Sequence, residues 1–156
     1  MRGRKPIREL GLAVAACLLA VAATAGGALA ARAPLIVIEI DLDTGTETFT
    51  TNTPLLCPEG DAFTDFHFGS GNFGAAGVFH LEKLLVCADG SGSFVIRLDA
   101  ASNFVVGNGT NGGWSLVPGS GTDDYVGLKG GGHVVGVNQD DPVIDLIDSY
   151  SGSLRI

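Results

Sequence analysis

The sequence predicts an all-β fold, an antiparallel sandwich or a closed barrel, that follows an N-terminal signal peptide. The apolar segments of the chain are short, rich in β-branched and aromatic residues, and separated by turn residues at hairpin spacing. None of them repeats with the period of an amphipathic helix. Glycine is abundant, at 24 of 156 residues, and has no collagen-like period. It supplies positive φ in turns and permits the strong coiling of a small barrel.

The first thirty residues have the organisation of a secretory signal peptide. Four basic residues lie within the first eight positions, and an uncharged run extends from Leu10 to Ala31. Small residues close the run in the pattern Ala28-Leu29-Ala30, as at a cleavage site. We expect cleavage near Ala30 or Ala33. This assigns residues 1–30 to the leader and residues 34–156 to the β-barrel domain, and it predicts a secreted, extracellular protein.

Two alternatives to cleavage remain open in the sequence. The uncharged run is long enough to span a bilayer as a retained anchor helix. Val14-Ala15-Ala16-Cys17 loosely resembles the lipid-attachment motif of a lipoprotein, although the apolar run continues beyond Cys17. The Ala- and Gly-rich composition is typical of a bacterial protein.

The first predicted hairpin shows strand alternation most clearly. In the run Leu35–Leu42 the isoleucines fall on one face and the acidic residues on the other. Residues 43–46, with the sequence Asp-Thr-Gly-Thr, form the predicted turn, and residues 47–51 return as the second strand.

The remaining predicted strands are short β-rich runs, and Asp89-Gly90 marks one tight hairpin between them. Residues 69–77 are predicted to be a loop. The strands are AFTDFHF (62–68), VFHLEKLLVC (78–87), SFVIRLDA (93–100), NFVV (103–106), GWSLV (113–117), GGHVVGV (131–137) and VIDLIDSYSGSLRI (143–156). We therefore expect about eight to ten strands in a single domain.

The mature chain is strongly acidic. The whole chain has nine Lys and Arg residues against seventeen Asp and Glu residues. The leader takes four of the basic residues and one of the acids, which leaves five against sixteen, a net charge of −11. Nucleic acids and anionic membranes bind basic surfaces. We therefore expect no nucleic-acid partner and no stable membrane insertion after cleavage.

Two cysteines, Cys57 and Cys87, remain after Cys17 leaves with the leader. An even number of cysteines in an exported domain predicts a disulfide. Such a bond stabilises a fold by roughly 3–4 kcal/mol at this loop length in the chain-entropy model. A metal site or redox pair is the alternative, but the sequence has no C-x-x-C, and two lone cysteines do not make a zinc site. We expect no cofactor and no metal.

The glycine-rich stretch 114–136 can be a phosphate loop, a calcium turn or a tight hairpin. It contains neither the P-loop pattern nor the dinucleotide-binding pattern, and Asp123-Asp124 would repel a phosphate. We expect its glycines to serve folding, in a turn and a tight strand, and Trp114 to anchor the core. The glycines are Gly119, Gly121, Gly130 and Gly132.

A calcium loop is the alternative at residues 41–52, which begin with a D-x-D pattern. Gly45 stands at the fifth position rather than the sixth, and Asn52 replaces the bidentate Glu of such loops. A hairpin turn is therefore favoured over a weak calcium site.

Three pairs of polar residues share a strand face at i, i+2 spacing. A histidine beside a carboxylate can act as a general base with its orienting partner, but a solvated strand face has the same pattern. His133 stands alone, and no serine lies in a G-x-S-x-G motif. We assign no catalytic residue. The pairs are Asp65/His67, His80/Glu82 and Arg97/Asp99.

A longer pattern begins at Trp114 with an apolar strand and continues as Gly119-Ser120-Gly121, Tyr125-Val126-Gly127-Leu128 and Gly130-x-Gly132. It resembles a run in bacterial members of the dirigent and allene oxide cyclase barrel-like group, which are small secreted barrels. The likeness includes Cys57, residues 86–99 and the closing residues 149–156, so it spans most of the mature chain. These motifs belong to hairpins and not to catalysis.

The resemblance implies an eight-stranded antiparallel barrel with an apolar interior. Plant relatives use such an interior to hold a hydrophobic ligand, which they cyclise or steer in a coupling. Their pocket acids have no matching positions in this chain, so no catalytic residue is transferred.

Two classes of function remain. The first is a secreted barrel that binds a small hydrophobic molecule or serves as a non-catalytic extracellular module. The second is an isomerase or cyclase that acts on a hydrophobic substrate inside the barrel. Several polar residues converging on a cavity favour the enzyme, whereas an apolar or filled interior favours the first class. The sequence alone favours the non-catalytic class.

Overall fold

The computed structural model describes residues 33, 35–72, 76–103 and 109–156. The predicted leader, its cleavage site and the alternatives at Cys17 lie outside these residues. Within them the chain forms eight antiparallel strands that close into a barrel, which confirms the predicted all-β fold and selects the barrel over the sandwich. The strands are β1 (Ile36–Asp41), β2 (Thr46–Thr51), β3 (Glu59–Asn72), β4 (Ala76–Cys87), β5 (Ser93–Asn103), β6 (Thr110–Leu116), β7 (Lys129–Asn138) and β8 (Leu146–Arg155).

Each strand pairs with the next strand in the sequence, and β1 closes the barrel against β8. Ile36 lies opposite Tyr150 and Ile40 opposite Leu146 in this closing pair. Because neighbouring strands are antiparallel, successive strands end at opposite ends of the barrel. We call the end that contains Cys57 and Cys87 the closed end, and the end that contains Leu146 the open end.

Strand alternation places the core inside the barrel. Every second residue of β1 is buried, as the isoleucine pattern predicts. Phe49 of β2 and Phe94 of β5 are buried and meet edge to face, with ring centroids 6.3 Å apart. Trp114 is also buried, meets Tyr150 edge to face at 6.0 Å, and donates its indole N–H to the Ser151 carbonyl. Trp114 is therefore the core anchor that the sequence predicts.

The closed end is sealed by the predicted disulfide and a tyrosine. Cys57 and Cys87 are bonded, with their Cα atoms 5.9 Å apart. Tyr125, in a short 3₁₀ turn (Asp123–Tyr125), packs edge to face on Phe94 with a centroid distance of 5.2 Å. Its hydroxyl accepts from the Cys57 backbone N–H at 2.9 Å and hydrogen-bonds the Ser91 hydroxyl at 2.9 Å. The disulfide and the 3₁₀ turn therefore hold each other in place.

The glycine-rich stretch is structural, as predicted. Gly119 has a φ of +78° in the turn that precedes the 3₁₀ segment. Gly130 and Gly132 lie on β7, where a Cβ would overlap the backbone of β8. Gly132 pairs with Gly152, and a Cβ on either glycine would overlap the backbone of the opposite strand.

One predicted element is wrong. Residues 69–77 were expected to form a loop, but β3 extends to Asn72 and β4 begins at Ala76. Glycines and small residues dominate this segment, and their composition conceals the ladder that continues through Gly69↔Phe79 and Gly71↔Gly77. Cross-strand pairing overrides the local turn preference. Most of the predicted strand at 103–106 lies outside the described residues.

Candidate functional site

The open half of the barrel contains a cavity of about 180 Å³ that is partly open to solvent. Its lining combines aliphatic and aromatic side chains with a smaller set of hydroxyl and charged groups. The apolar lining residues are Ile40, Leu42, Phe79, Leu81, Leu98, Ala100 and Leu146, and the polar ones are Glu47, Thr64, Lys83, Ser102, Thr110 and Asp148.

The cavity exists because the inward side chains become smaller toward the open end. On β5 the buried, inward series begins with Phe94 at the closed end and finishes with Ala100 and Ser102. On β6 the buried residues change from the large Trp114 to the small Thr110 toward the open end of the barrel. A barrel of eight strands has an interior that side chains just fill. Small residues on adjacent strands therefore leave the space empty.

An ion pair lies on the cavity wall. The Lys83 ammonium donates to Glu47 Oε2 at 2.6 Å and to the Thr64 hydroxyl at 2.6 Å. The Thr64 hydroxyl donates in turn to Glu47 Oε1 at 2.6 Å. The Lys83 side chain is 3% exposed and that of Glu47 is 12% exposed. Removing one partner of such a buried pair leaves an uncompensated charge, so the two residues form one unit.

A second acidic group, Asp148, lies on β8 and is 2% exposed. The Tyr150 hydroxyl donates to its Oδ2 at 3.3 Å, whereas its Oδ1 is buried and has no hydrogen-bond partner among the described residues. Burial raises the pKa of the Asp148 carboxyl above its ordinary value, and the nearby charge of Lys83 opposes this increase. Burial also raises the pKa of the Tyr150 hydroxyl well above its ordinary value, so Tyr150 remains a donor.

Gly136 provides the space for the Asp148 carboxyl. The two residues are paired across β7 and β8. A Cβ at position 136 would overlap Asp148 Oδ1 and crowd the side chain of Thr110. The hydroxyl of Thr110 is itself hydrogen-bonded to that of Ser102 at 3.1 Å. The absence of a side chain at position 136 therefore leaves room for the Asp148 carboxyl beside Thr110.

Two of the polar pairs that the sequence singles out, His80/Glu82 and Arg97/Asp99, lie on the outer wall of the barrel. His80 Nδ1 is 2.6 Å from Asp99 Oδ1, and Arg97 donates to Glu82 Oε1 at 2.7 Å. These contacts connect β4 to β5 across the solvent-exposed face. They border a shallow surface depression and do not reach the cavity. The solvated-face interpretation is therefore the one that the structure supports for these pairs.

His133 does not line the cavity either. His133 is exposed on β7. Asp65 is exposed on β3, and the side chain of His67 lies outside the described residues. The structure therefore brings Arg97 and Asp99 close to His80 and Glu82, but it brings none of these four residues to the interior.

Neither predicted alternative for metal binding gains support from the described residues. At residues 41–52 the Asp41 carboxylate accepts from the backbone N–H groups of Asp43 and Thr44 and closes the predicted hairpin turn. These interactions, led by hydrogen bonding with Thr44, lower the pKa of Asp41. A carboxylate oxygen of Asp89 lies near the sulfur atoms of Cys57 and Cys87, but both sulfur atoms are committed to the disulfide.

The charged groups of the cavity are not among the candidate residues that local sequence spacing predicts. The alternation of buried and exposed residues along each strand identifies them, since Lys83 lies between Leu81 and Leu85 on the inward face of β4. Asp148 likewise has the phase of Leu146 and Tyr150 on β8. Ionised side chains are rarely buried without a partner. A charged residue at an inward-facing position of a predicted strand is thus the sequence feature that indicates a polar group inside the barrel.

Comparisons with protein-family models, with curated proteins and with solved structures find no match to this chain. Among the described residues, no helix is both long enough and apolar enough to cross a membrane. The cavity and its polar groups are therefore the observations on which a functional interpretation rests.

Proposed function

We propose that this protein binds a small, mainly apolar molecule in the open half of its barrel. The observation that supports the proposal is the change in the interior from a filled half, with Phe94 and Trp114, to a half with a cavity lined by Leu81, Leu98 and Ala100. Binding sites are concave and mainly apolar, with a few polar groups that fix orientation. The cavity has this composition.

The volume of the cavity limits the size of the part of the ligand that it encloses. A dry apolar cavity of about 150 Å³ accommodates benzene, so a cavity of about 180 Å³ accommodates a single ring with a small substituent. Because the cavity is partly open, a longer ligand can extend beyond it into solvent.

We propose further that the protein acts outside the cell. The leader pattern of residues 1–30 supports export, and a disulfide persists in an oxidising compartment. The intact mass of the protein from the culture medium tests this point. A mass that matches a chain starting near Ala31 supports export, whereas a protein that stays in the cell with residues 1–30 attached contradicts export.

Calorimetric titration with toluene tests ligand binding. The Ala100→Leu variant adds three carbon atoms to the cavity wall, and we expect it to weaken toluene binding at least tenfold. Ala101 is the matched control, because it is the next residue of β5 and is exposed on the outer face. Ala101→Leu should bind toluene as the wild type does. Failure of the wild type to bind would contradict the proposal.

A second candidate function, isomerase or cyclase chemistry inside the barrel, is favoured by one observation. Lys83, Glu47 and Asp148 converge on the cavity, and a buried carboxyl with a raised pKa is a suitable proton donor. Isomerisation changes the chromatographic retention of a compound without changing its mass. We would incubate an organic extract of the culture with the wild type and with Asp148→Asn. A new isomer formed only by the wild type supports this candidate, and identical profiles contradict it.

A further inference from the structure

The polar groups of the cavity specify the kind of polar end that a ligand carries. Lys83 is the strongest hydrogen-bond donor on the cavity wall, since an ammonium group has three N–H bonds. Two of them are directed to Glu47 and Thr64. The third has no partner among the described residues, and it is the one donor of the ammonium group left for a ligand in the cavity.

The charge of Lys83 is already balanced. Both carboxylate oxygens of Glu47 are occupied by hydrogen bonds, one from Lys83 and one from Thr64. A ligand carboxylate would lose its hydration in the cavity and would meet a cation that is paired with another carboxylate. The desolvation cost of such an anion would therefore be poorly compensated.

A cationic ligand is equally disfavoured. Glu47 has no remaining unpaired oxygen, and Asp148 directs its unpartnered Oδ1 into the space above Gly136, where the oxygen has no solvent access. Burial also disfavours the ionised form of Asp148. Neither carboxylate on the described wall therefore offers an accessible, unpaired oxygen to a cation in the cavity.

We propose that the ligand carries an uncharged hydrogen-bond acceptor, a ketone, aldehyde or ether oxygen, which accepts from Lys83 while its apolar part packs on Leu81 and Leu98. This inference rests on the proposed ligand-binding function. It adds the chemical class of the ligand to the size and apolar character argued above.

Four single-ring probes test the inference by calorimetry with the purified protein. Toluene has no polar end, acetophenone has a ketone, benzoate is an anion and benzylammonium is a cation. A hydrogen bond from a charged donor predicts acetophenone binding roughly tenfold or more tighter than toluene. Benzoate and benzylammonium should both bind at least tenfold more weakly than acetophenone.

A double variant, Lys83→Met with Glu47→Gln, removes both charges and avoids leaving one of them buried alone. We expect it to lose the preference for acetophenone over toluene that the wild type shows. The matched control is Arg97→Met with Glu82→Gln, which removes the ion pair on the outer wall and should leave all four affinities unchanged.

The outcomes separate the two proposals. Equal affinity for toluene and acetophenone, or a preference for benzoate or benzylammonium, would overturn the inference about the polar end and leave ligand binding intact. Binding of none of the four probes would overturn the proposed function itself. The four affinities measured with the wild type are sufficient to decide these points. The inference therefore remains testable even if the double variant does not fold.

Discussion

At the scale of single residues, the carboxyl of Asp148 makes the stability of the barrel depend on pH. Burial raises its pKa in the folded protein above the value of 3.8 that an exposed Asp has. The folded state therefore keeps a proton over a pH range in which the unfolded chain has lost it. The corresponding stabilisation is complete below the unfolded pKa and is lost as pH rises through the folded pKa.

The Asp148→Asn variant tests this linkage because Asn does not titrate. Between the two pKa values the wild type should lose up to about 1.4 kcal/mol of unfolding free energy per pH unit relative to the variant. Urea unfolding of both proteins from pH 4 to pH 8 measures the difference. Stability curves that run parallel across this range would show that Asp148 titrates normally.

Gly136 gives a second test at the residue scale. Gly136→Ala introduces a Cβ that overlaps Asp148 Oδ1, and overpacking of this kind costs about 1–3 kcal/mol. Gly113→Ala is the control, since the nearest atom to its Cβ would be the Gly132 carbonyl oxygen at 3.8 Å. We expect the control to change the unfolding free energy by less than about 0.5 kcal/mol. Equal effects of the two substitutions in urea unfolding would refute the role assigned to Gly136.

At the scale of elements, the disulfide joins the end of β4 to the segment before β3 and supports the closed end. The variant Cys57→Ala with Cys87→Ala should lose roughly 3–4 kcal/mol of unfolding free energy, because the bond closes a separation of 30 residues. Thiol titration of the denatured, unreduced protein should find neither cysteine free. Two reactive thiols, or a double variant as stable as the wild type, would contradict this account.

The sequence predicts a strand well only where buried and exposed residues alternate regularly. Alternation in β1 and β5 is regular enough to predict both strands and their buried faces. The end of β3 and the start of β4 cannot be predicted from the sequence, because the glycines there have no side chain that would show the alternation of a strand. The pairing of Lys83 with Glu47 cannot be predicted from local spacing, since the two residues are 36 positions apart in the sequence.

At the scale of the whole molecule, the number of strands and the sizes of their inward residues together create the candidate site. The strand pattern of the sequence predicts about eight to ten strands, and the described residues form eight. Which side chains converge follows only from closure, because the meeting of β8 with β1 completes the ring of neighbours around the cavity. Closure is a long-range event that the sequence pattern of single strands does not contain.

The same separation of scales explains why the sequence predicts the outer-wall polar pairs and does not predict the polar groups of the interior. His80 and Glu82 are two residues apart in sequence, so their common face is visible without a structure. Asp148 reaches the cavity beside residues from β5 and β6. Short-range spacing therefore identified an outer-wall network, whereas the candidate site required the tertiary fold.

A crystal structure of the protein exposed to iodobenzene tests the central claim most directly. The iodine atom gives an anomalous signal that locates the ring independently of the protein density. The account predicts a peak in the open half of the barrel, among Leu81, Leu98 and Ala100, and no comparable peak in the same crystal form of Ala100→Leu. A cavity without iodine, or a peak confined to the outer wall, would contradict the claim that the open half of the barrel is a site for small apolar molecules.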